Sequence, residues 1–222
     1  MAGIAEPGKL QPELERRIAP LLETIAALAF AIEAKDPCTR GHCEEVSWWA
    51  TRIALQVGLS EQEIEDIKLA GIVHDIGKIN VPEDVLQKPT LLTAEEFGKM
   101  KKHAAWGAKI VEALKKKDIA RIVRHHHERY DGTGYPDHLQ GEEIPLGARI
   151  VAVAESFDCM VRGSPYKKAC TVEDALAELR RCSGTQLDPR VVLAFLDWLG
   201  THGESPDYYD RRISSESQPP PN

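Results

Sequence analysis

The sequence lacks the features that mark membrane, secreted or cysteine-rich zinc proteins. No apolar run approaches the roughly 20 residues that cross a bilayer, and acidic residues and prolines stand near the N-terminus, where a signal peptide needs an apolar stretch. The five cysteines are odd in number and form no C-x-x-C pair. We therefore expect free thiols, a reducing cytoplasm and no membrane partner.

The sequence also lacks a surplus of basic residues. It has 28 Lys and Arg against 35 Asp and Glu, which gives a formal net charge of -7. Broad binding to DNA or RNA depends on neutralising many phosphates with Lys and Arg, so neither polymer is an expected partner. A small phosphorylated ligand is still compatible, because it needs only a local basic pocket.

Strand-like alternation is scarce as well, whereas apolar residues recur at helical spacing, which predicts an all-α fold. The 222 residues, 42% of them hydrophobic, are enough for one compact domain. We expect a flexible segment over residues 1–12, a single domain over 13–200 and a disordered tail over 201–222. A place within a longer signalling protein is compatible with this sequence.

Caps and breakers divide the domain into helices. Gly58 ends the second helical pattern, and two capping boxes, Ser60 with Glu63 and Thr93 with Glu96, open helices. The stretch 130–145 is too rich in Gly and Pro to be helical, and a loop of that length is usually functional. The predicted helices cover residues 14–35, 41–57, 60–78, 93–117, 118–129, 146–161, 171–181 and 189–199.

The strongest chemical signal is the pair His74-Asp75 near the end of the apolar third helix. A buried carboxylate is costly unless it is paired or binds a metal. Neighbouring helix positions point about 100° apart, so the two side chains cannot aim at one atom by helical geometry alone. The two oxygens of a carboxylate can bridge two metals while the histidine binds one, which suits a dinuclear centre. A buried capping interaction explains the pair equally well when it is taken alone.

Other histidines favour the metal explanation. The pair His126-His127 repeats the pattern on another helix, directly before the glycine-rich loop. His42 lies one helix earlier, and His103 lies between the two pairs. An isolated histidine is more often structural than metal-binding, and we give His138 that interpretation.

Taken in order, these motifs resemble those of an HD-GYP domain. The resemblance covers about residues 22–199, and the string from His126 to Pro136 is its most specific part. A lone His-Asp pair would be weak evidence, whereas this many ordered matches are not expected by chance. The matching residues are His42, His74-Asp75-Ile-Gly-Lys78, Lys88-Pro89, Leu92-Thr93, His103, His126-His127-Glu128, Asp131-Gly-Thr-Gly-Tyr-Pro136, Glu143-Ile-Pro-Leu-Gly-Ala-Arg-Ile150 and Pro165-Tyr166.

The resemblance implies a helical bundle that holds two or three divalent metal ions, usually iron or manganese. It implies hydrolysis of cyclic di-GMP, or of a related cyclic dinucleotide, to linear pGpG or GMP by attack of a metal-bridging hydroxide. One metal would be bound by His42, His74 and Asp75, with Asp75 bridging to the other. The second metal would be bound by His103, His126 and His127.

The resemblance also assigns residues to the substrate. Lys78 would face the scissile phosphate and balance charge in the transition state, although a lysine there also suits a helix C-terminus. Loop 130–136 would shape the pocket entrance, with a plain surface turn as the alternative. The residues expected to contact the substrate are Lys78, Asp131, Gly134, Tyr135 and Lys167.

Three positions depart from the family pattern. Glu155 stands where members usually have an aspartate metal ligand, and its extra methylene changes the geometry without preventing it from binding a metal. Asp158, three residues further on, is its competitor for that role, although the resemblance implies a structural role for Asp158. Cys38 replaces the glutamate of three-metal members, which favours a dinuclear site. It is interpreted as a packed thiol, with a thiolate ligand or a redox-sensitive group as the alternatives. Ser164 replaces an arginine, which weakens a phosphate contact.

We therefore expect an enzyme, a metal-dependent cyclic-dinucleotide phosphodiesterase, acting as a homodimer or fused to a sensory domain. The three departures motivate an alternative, a catalytically weak HD-GYP module that senses nucleotide or binds a protein. A related HD-type phosphohydrolase acting on another nucleotide is a third hypothesis. The intact Gly134-Tyr135-Pro136 run argues against the third.

Overall fold

The structure, a computed structural model, describes residues 23–35, 41–163 and 169–202. The predictions for residues 1–12, for Cys38, for residues 164–168 (Ser164 and Lys167 included) and for the tail beyond 202 lie outside these ranges. Two 3₁₀ helices connect α-helices, at Ile76–Asn80 and Gly141–Glu143. The described α-helices are α1 (residues 23–33), α2 (His42–Val57), α3 (Glu61–Val73), α4 (Glu83–Leu86), α5 (Ala94–Met100), α6 (Lys102–Glu112), α7 (Lys117–His125), α8 (Leu146–Arg162), α9 (Val172–Cys182) and α10 (Pro189–His202).

The predicted all-α fold is confirmed, and the described ranges contain no β-strand. Helices α2, α8 and α10 meet in an aromatic core, where Trp49, Phe157 and Phe195 pack edge to face with ring centroids 5.0 to 5.4 Å apart. All three rings are almost fully buried. This arrangement is the favoured geometry for aromatic pairs, and it fixes α2 against α8 beside the site described below.

The helix starts predicted from capping boxes are confirmed. Ser60 accepts a hydrogen bond from the Glu63 backbone N–H, and the Glu63 carboxylate accepts one from the Ser60 N–H in return. Thr93 and Glu96 make the same reciprocal bonds at the start of α5. Gly58 ends α2 with a φ of 84°, a left-handed conformation that glycine adopts at little cost.

The single helix predicted over residues 93–117 is wrong. The chain forms α5 and α6 instead, with a turn at Lys101. Helix α5 buries none of its residues, whereas α6 buries five, beginning with His103 and Ala104. One straight helix could not leave the first segment outside and bring the second into the core.

The third helix ends earlier than predicted, at Val73 rather than Lys78. The chain then tightens into the 3₁₀ helix Ile76–Asn80, which packs closely against α6. A Cβ atom at Gly77 would lie 1.9 Å from the His103 carbonyl oxygen and 2.5 Å from the Gly107 nitrogen. Only glycine allows the backbone carrying Asp75 to approach α6 so closely.

Helix α7 is also shorter than predicted, because it ends at His125 rather than Arg129. Beyond it, backbone bonds to distant loops replace the helical ones. The Tyr130 N–H donates to the Gln186 carbonyl at 3.0 Å, and the Tyr135 N–H donates to the His127 carbonyl at 3.3 Å. These bonds fold the glycine-rich loop back over the end of the helix.

The packing brings several helix ends to one place. Helix α2 lies against α3, α8 and α10, while α7 contacts α3, α6 and α8. The C-terminal ends of α3 and α7, the N-terminal turns of α2 and α6 and the middle of α8 carry the residues of the site. Among the helices of the described ranges, none has the length and apolar character needed to cross a membrane.

Candidate metal centre

Four buried histidine rings are oriented by hydrogen bonds at Nδ1. His74 donates to the Gly71 carbonyl at 2.8 Å, His103 to the Met100 carbonyl at 2.8 Å and His126 to the Val123 carbonyl at 2.7 Å. His42 Nδ1 bonds instead to a side chain, Asp158 Oδ2, at 2.6 Å. In a neutral ring whose proton is on Nδ1, Nε2 keeps its lone pair for another partner. This arrangement is the usual support of a metal-binding imidazole.

Asp75 lies where these rings converge. Its Oδ1 is 3.3 Å from His103 Nε2, its Oδ2 is 3.4 Å from His74 Nε2, and Lys78 Nζ is 2.7 Å from Oδ2. His103 Nε2 also lies 3.3 Å from His126 Nε2. Two lone pairs facing each other at that distance repel unless a cation lies between them.

Buried polar atoms without hydrogen-bond partners also indicate a bound cation. His74 Nε2 and Asp75 Oδ1 are buried and have no hydrogen-bond partner among the described residues. Such groups are costly in a protein interior unless an ion or a water satisfies them. Imidazole nitrogens and carboxylate oxygens together are donors that suit divalent metals. The residues present therefore fit divalent metal ions.

The donors form two groups that share Asp75. In each group the donor atoms lie within 4.8 Å of one another. We call them the four-residue group and the three-residue group. The four-residue group is Asp75, His103, His126 and His127, and the three-residue group is His42, His74 and Asp75. The structure thus brings together all six residues that the sequence grouped, in the predicted division, and their role as metal ligands stays a prediction.

The charges of the site favour a bound cation. Burial lowers the pKa of the His103, His126 and His127 imidazoles, so these rings are neutral near pH 7 and free to bind a metal. Burial also lowers the pKa of His74, but the Asp75 carboxylate outweighs it and raises the value to about 9, so a metal ion bound at Nε2 would displace a proton there. Burial raises the pKa of Asp75, whereas Lys78 and His74 hold it well below its usual range. Asp75 therefore stays ionised and attracts positive charge.

Glu155 lies at the edge of the site rather than at its centre. Its Oε1 is 3.9 Å from His127 Nε2, and burial raises the pKa of its carboxyl. Glu155 belongs to a third set of donors, with His42 and Cys159, again within 4.8 Å of one another. Its predicted role as a metal ligand stays a prediction.

Asp158 belongs to none of the donor sets among the described residues, so it is not placed as a competing metal ligand. It is fully buried, and its Oδ1 accepts a hydrogen bond from Arg162 Nε at 2.9 Å while Oδ2 holds His42. It therefore positions a candidate ligand. The sequence signal was its spacing, three residues beyond Glu155 and four before an arginine, but a partner as distant as His42 could not be read from it.

Lys78 is placed beside the shared carboxylate, in a 3₁₀ helix rather than in the α-helix predicted over residues 60–78. Its side chain is 18% exposed, so the ammonium lies at the boundary between the buried donors and solvent. Such a lysine both neutralises Asp75 and is accessible to an anionic ligand.

The structure explains Asp131 and Gly134 by loop packing. Both oxygens of Asp131 are used within the loop, by Arg129 Nη2 at 2.8 Å and by Thr133 Oγ1 at 2.6 Å. A Cβ atom at Gly134 would lie 2.3 Å from the Arg129 nitrogen and 2.6 Å from the Glu128 Cα. The predicted substrate contacts of these two residues are untested, and the contacts observed are structural.

Tyr135 faces the site. Two residues that the sequence did not indicate, Phe97 and Lys101, lie against its ring. The Tyr135 ring lies 4.9 Å from that of His127, at an interplanar angle of 32°. Phe97 packs at 6.4 Å, and Lys101 Nζ lies 5.3 Å from the Tyr135 ring centroid. His138, by contrast, is exposed and belongs to neither donor group.

A cleft of about 350 Å³ opens next to the donors. Its volume lies within the range of small-molecule sites. His126 and His127 form part of its inner wall, and α8 and α9 supply much of the remainder. The residues that line the cleft include His127, Arg129, Glu155, Cys159, Cys182 and Gln186.

Comparison with known proteins gives the class. Residues 21–191 match the model of the HD domain family. The chain is similar to two solved structures, a cyclic GMP-AMP specific phosphodiesterase of Vibrio cholerae (TM-score 0.63, 21% identity, 90% of this chain and 54% of that one) and an HD-GYP protein of Bdellovibrio bacteriovorus (TM-score 0.59, 22% identity, 72% and 51%). At these identities the structures support the fold alone. The chain belongs to the HD domain family.

Curated relatives narrow this assignment. The chain is 47% identical over 177 residues to the cyclic di-GMP phosphodiesterase response regulator RpfG of Xanthomonas campestris pv. campestris, covering 78% of this chain and 47% of the relative. It is 43% identical over 179 residues to a cyclic di-GMP phosphodiesterase of Thermotoga maritima (79% and 49%) and 37% identical over 178 residues to the 3'3'-cGAMP-specific phosphodiesterase 2 of Vibrio cholerae (79% and 34%). Within the HD family it is an HD-GYP member, as its motifs predicted. It spans a third to a half of the length of these relatives.

Proposed function

We propose that this chain hydrolyses a phosphodiester bond of a cyclic dinucleotide, cyclic di-GMP or a related one such as 3'3'-cGAMP, at a centre of two divalent metal ions. The observation that supports it most is the pair of donor groups that share Asp75, with histidine Nε2 atoms converging on one carboxylate. The names of the relatives support the substrate class.

The expected ligands are those of the two donor groups, with Glu155 as a further one. Bound divalent metals supply Lewis acidity, which lowers the pKa of water towards neutrality and neutralises charge on phosphoryl oxygens. The backbone carbonyls and Asp158 hold the imidazoles in place, which limits the reorganisation needed during the reaction. Because the donors are nitrogen and carboxylate oxygen, iron or manganese suits the site.

Lys78 is the proposed catalytic residue beyond the ligands. Its ammonium, 2.7 Å from Asp75 and partly exposed, would contact the scissile phosphate and offset the charge that develops there. Tyr135, Phe97 and Lys101 would form an aromatic and cationic edge on which a guanine base can stack. The product, linear pGpG or GMP, depends on how the cleft holds the second nucleotide.

The test is a turnover assay on protein purified anaerobically, reduced and loaded with iron or with manganese. Cyclic di-GMP and 3'3'-cGAMP are supplied separately, and the products are separated by ion-exchange chromatography while bound metal is measured by elemental analysis. We expect two ions per chain and linear products. A His74→Ala, Asp75→Ala double variant should lose both the ions and the activity.

A matched control keeps the test specific. His138→Asn removes an exposed histidine outside the donor groups, at a left-handed φ of 57° that asparagine tolerates. It should retain both ions and full turnover. Metal-loaded protein that binds cyclic di-GMP but leaves it intact would contradict the enzyme proposal and favour the alternative, a nucleotide sensor or interaction module. The cytoplasmic location and the homodimer or sensory fusion stay predictions.

A further inference from the structure

The third set of donors contains a cysteine that the proposed function does not use. His42, Glu155 and Cys159 place donor atoms within 4.8 Å of one another. Because His42 Nδ1 is bonded to Asp158, the nitrogen available to this set is Nε2. Donors on one metal ion are separated by at most roughly twice the metal–ligand bond length, about 4.5 Å. The three atoms therefore lie close to the spacing of a single coordination sphere.

Helix geometry supports this set. Glu155 and Cys159 are four residues apart on α8, so their side chains lie on the same face. Both line the cleft beside His127, and Cys159 is exposed there. Small rotations of these side chains would bring both donor atoms and His42 Nε2 within bonding distance of one metal ion.

Two independent features indicate that a cation belongs at this position. His42 belongs to both this set and the three-residue group, and its Nδ1 is engaged by Asp158, so Nε2 serves both sets; one imidazole nitrogen has a single lone pair and binds only one metal ion. His74, also in that group, is completely buried, and its Nε2 has no hydrogen-bond partner among the described residues. The donors therefore describe one ion with a larger set of ligands rather than a separate third site.

We propose that Cys159 supplies a thiolate ligand to the metal ion held by His42, His74 and Asp75, together with Glu155. This inference rests on the metal centre of the proposed function. Binding would release the thiol proton to solvent and form a metal–sulfur bond without any change of oxidation state. A thiolate shifts the preference of the site towards zinc, cobalt and iron and away from magnesium.

The other described cysteines are placed differently. Cys170 donates to the Met160 carbonyl at 3.3 Å and belongs to none of the donor sets among the described residues. Cys182 also lines the cleft, but its sulfur lies 3.5 Å from Glu178 Oε1 on the opposite wall, within α9. Cys43 is buried and belongs to none of the donor sets among the described residues. Cys182 is therefore the matched control, since it has the same chemistry and faces the same cleft.

The experiment uses cobalt(II), because a thiolate bound to cobalt gives a charge-transfer absorption in the near ultraviolet that nitrogen and oxygen ligands do not give. Full-length chain is reduced, loaded with cobalt under anaerobic conditions and analysed for bound metal. We expect the band in the wild type and in Cys182→Ser, and its loss in Cys159→Ser and Cys159→Ala. Affinity for one of the two ions should fall by about tenfold or more, at least the loss seen when an outer-shell partner is removed.

The outcomes separate this inference from the proposed function. Two bound cobalt ions without the band in the wild type would overturn the thiolate ligand and leave the dinuclear centre intact. Persistence of the band in both Cys159 variants would also overturn it, because another cysteine would then be the ligand. A wild type that binds no cobalt would overturn the metal centre itself.

Discussion

The four-residue group and the three-residue group share Asp75 but hold their histidines by different means. In the four-residue group, His103 and His126 each donate to a backbone carbonyl within their own chain segment, at Met100 and Val123. In the three-residue group, His74 is held in the same way by the Gly71 carbonyl, but His42 depends on a carboxylate more than a hundred positions away, Asp158, which Arg162 holds in turn. The four-residue group is therefore oriented by local backbone, whereas the three-residue group also depends on contact between α2 and α8.

This difference teaches where the centre is vulnerable to substitution. A backbone carbonyl cannot be removed by changing a side chain, so the four-residue group should respond only to changes that move whole helices. The three-residue group should respond to a single polar substitution on α8. Asp75, common to both, is the point at which the two halves should fail together.

The largest effect is expected from Asp75→Asn, which removes the charge that both groups share. Both ions should be lost or weakened together, and turnover should fall by about a thousandfold or more, since metals supply several kcal/mol of transition-state stabilisation. Metal analysis and the turnover assay measure the two effects on one sample. Retention of one ion at full affinity would show that the halves are independent.

The next largest effect is expected from Lys78→Met, which removes the positive charge beside Asp75 and leaves the carboxylate in place. We expect kcat and kcat/KM to fall together by about a hundred- to a thousandfold, while both ions stay bound. Lys99→Met, which removes a lysine paired with Glu95 on the surface of α5, serves as the control. Unchanged turnover would support the plain interpretation of Lys78 as a cation at the end of a helix.

Gly77→Ala tests the four-residue group, whose His103 and His126 are held by backbone carbonyls. The added methyl group would press on the His103 carbonyl and on the Gly107 nitrogen, pushing the Asp75 segment away from α6. We expect a loss of about 3 kcal/mol in the free energy of unfolding, measured by urea denaturation. Gly98→Ala is the matched control, because no atom beyond the adjacent residues and the backbone of its own helix lies within 4 Å of the new Cβ in α5. It should stabilise by about 0.5–1 kcal/mol. Equal stability of both variants would refute the close approach.

The smallest of these effects is expected from Asp158→Asn, which tests the half fixed by a side chain. Loss of the charge that orients His42 should weaken one of the two ions by about 10- to 100-fold and leave the other unchanged. A metal titration resolves the two affinities. Asp197→Asn makes the same change at an exposed position of α10 and should alter neither. An equal loss of affinity for both ions would show that the two donor groups do not differ in their dependence on Asp158.

Much of the fold was predictable from sequence because its signals are local. The capping boxes at Ser60 and Thr93 and the glycine after α2 act on their own neighbours, and each appears where predicted. Helix ends decided by packing were missed. Helix α3 stops at Val73 because Gly77 lets the next segment lie against α6, and the division of α5 from α6 follows from which residues reach the core.

The sequence by itself determined the family, the helical class and the residue types of the centre, since those depend on motif order and spacing along the chain. Only the tertiary structure decided how the donors are held. His74 and Asp75 lie beyond the last residue of α3. Their side chains are therefore not held about 100° apart, as adjacent positions of an α-helix would be. The Asp158 support of His42 and the approach of Cys159 to it depend on how α2 lies against α8, which packing between distant segments sets and no local pattern records.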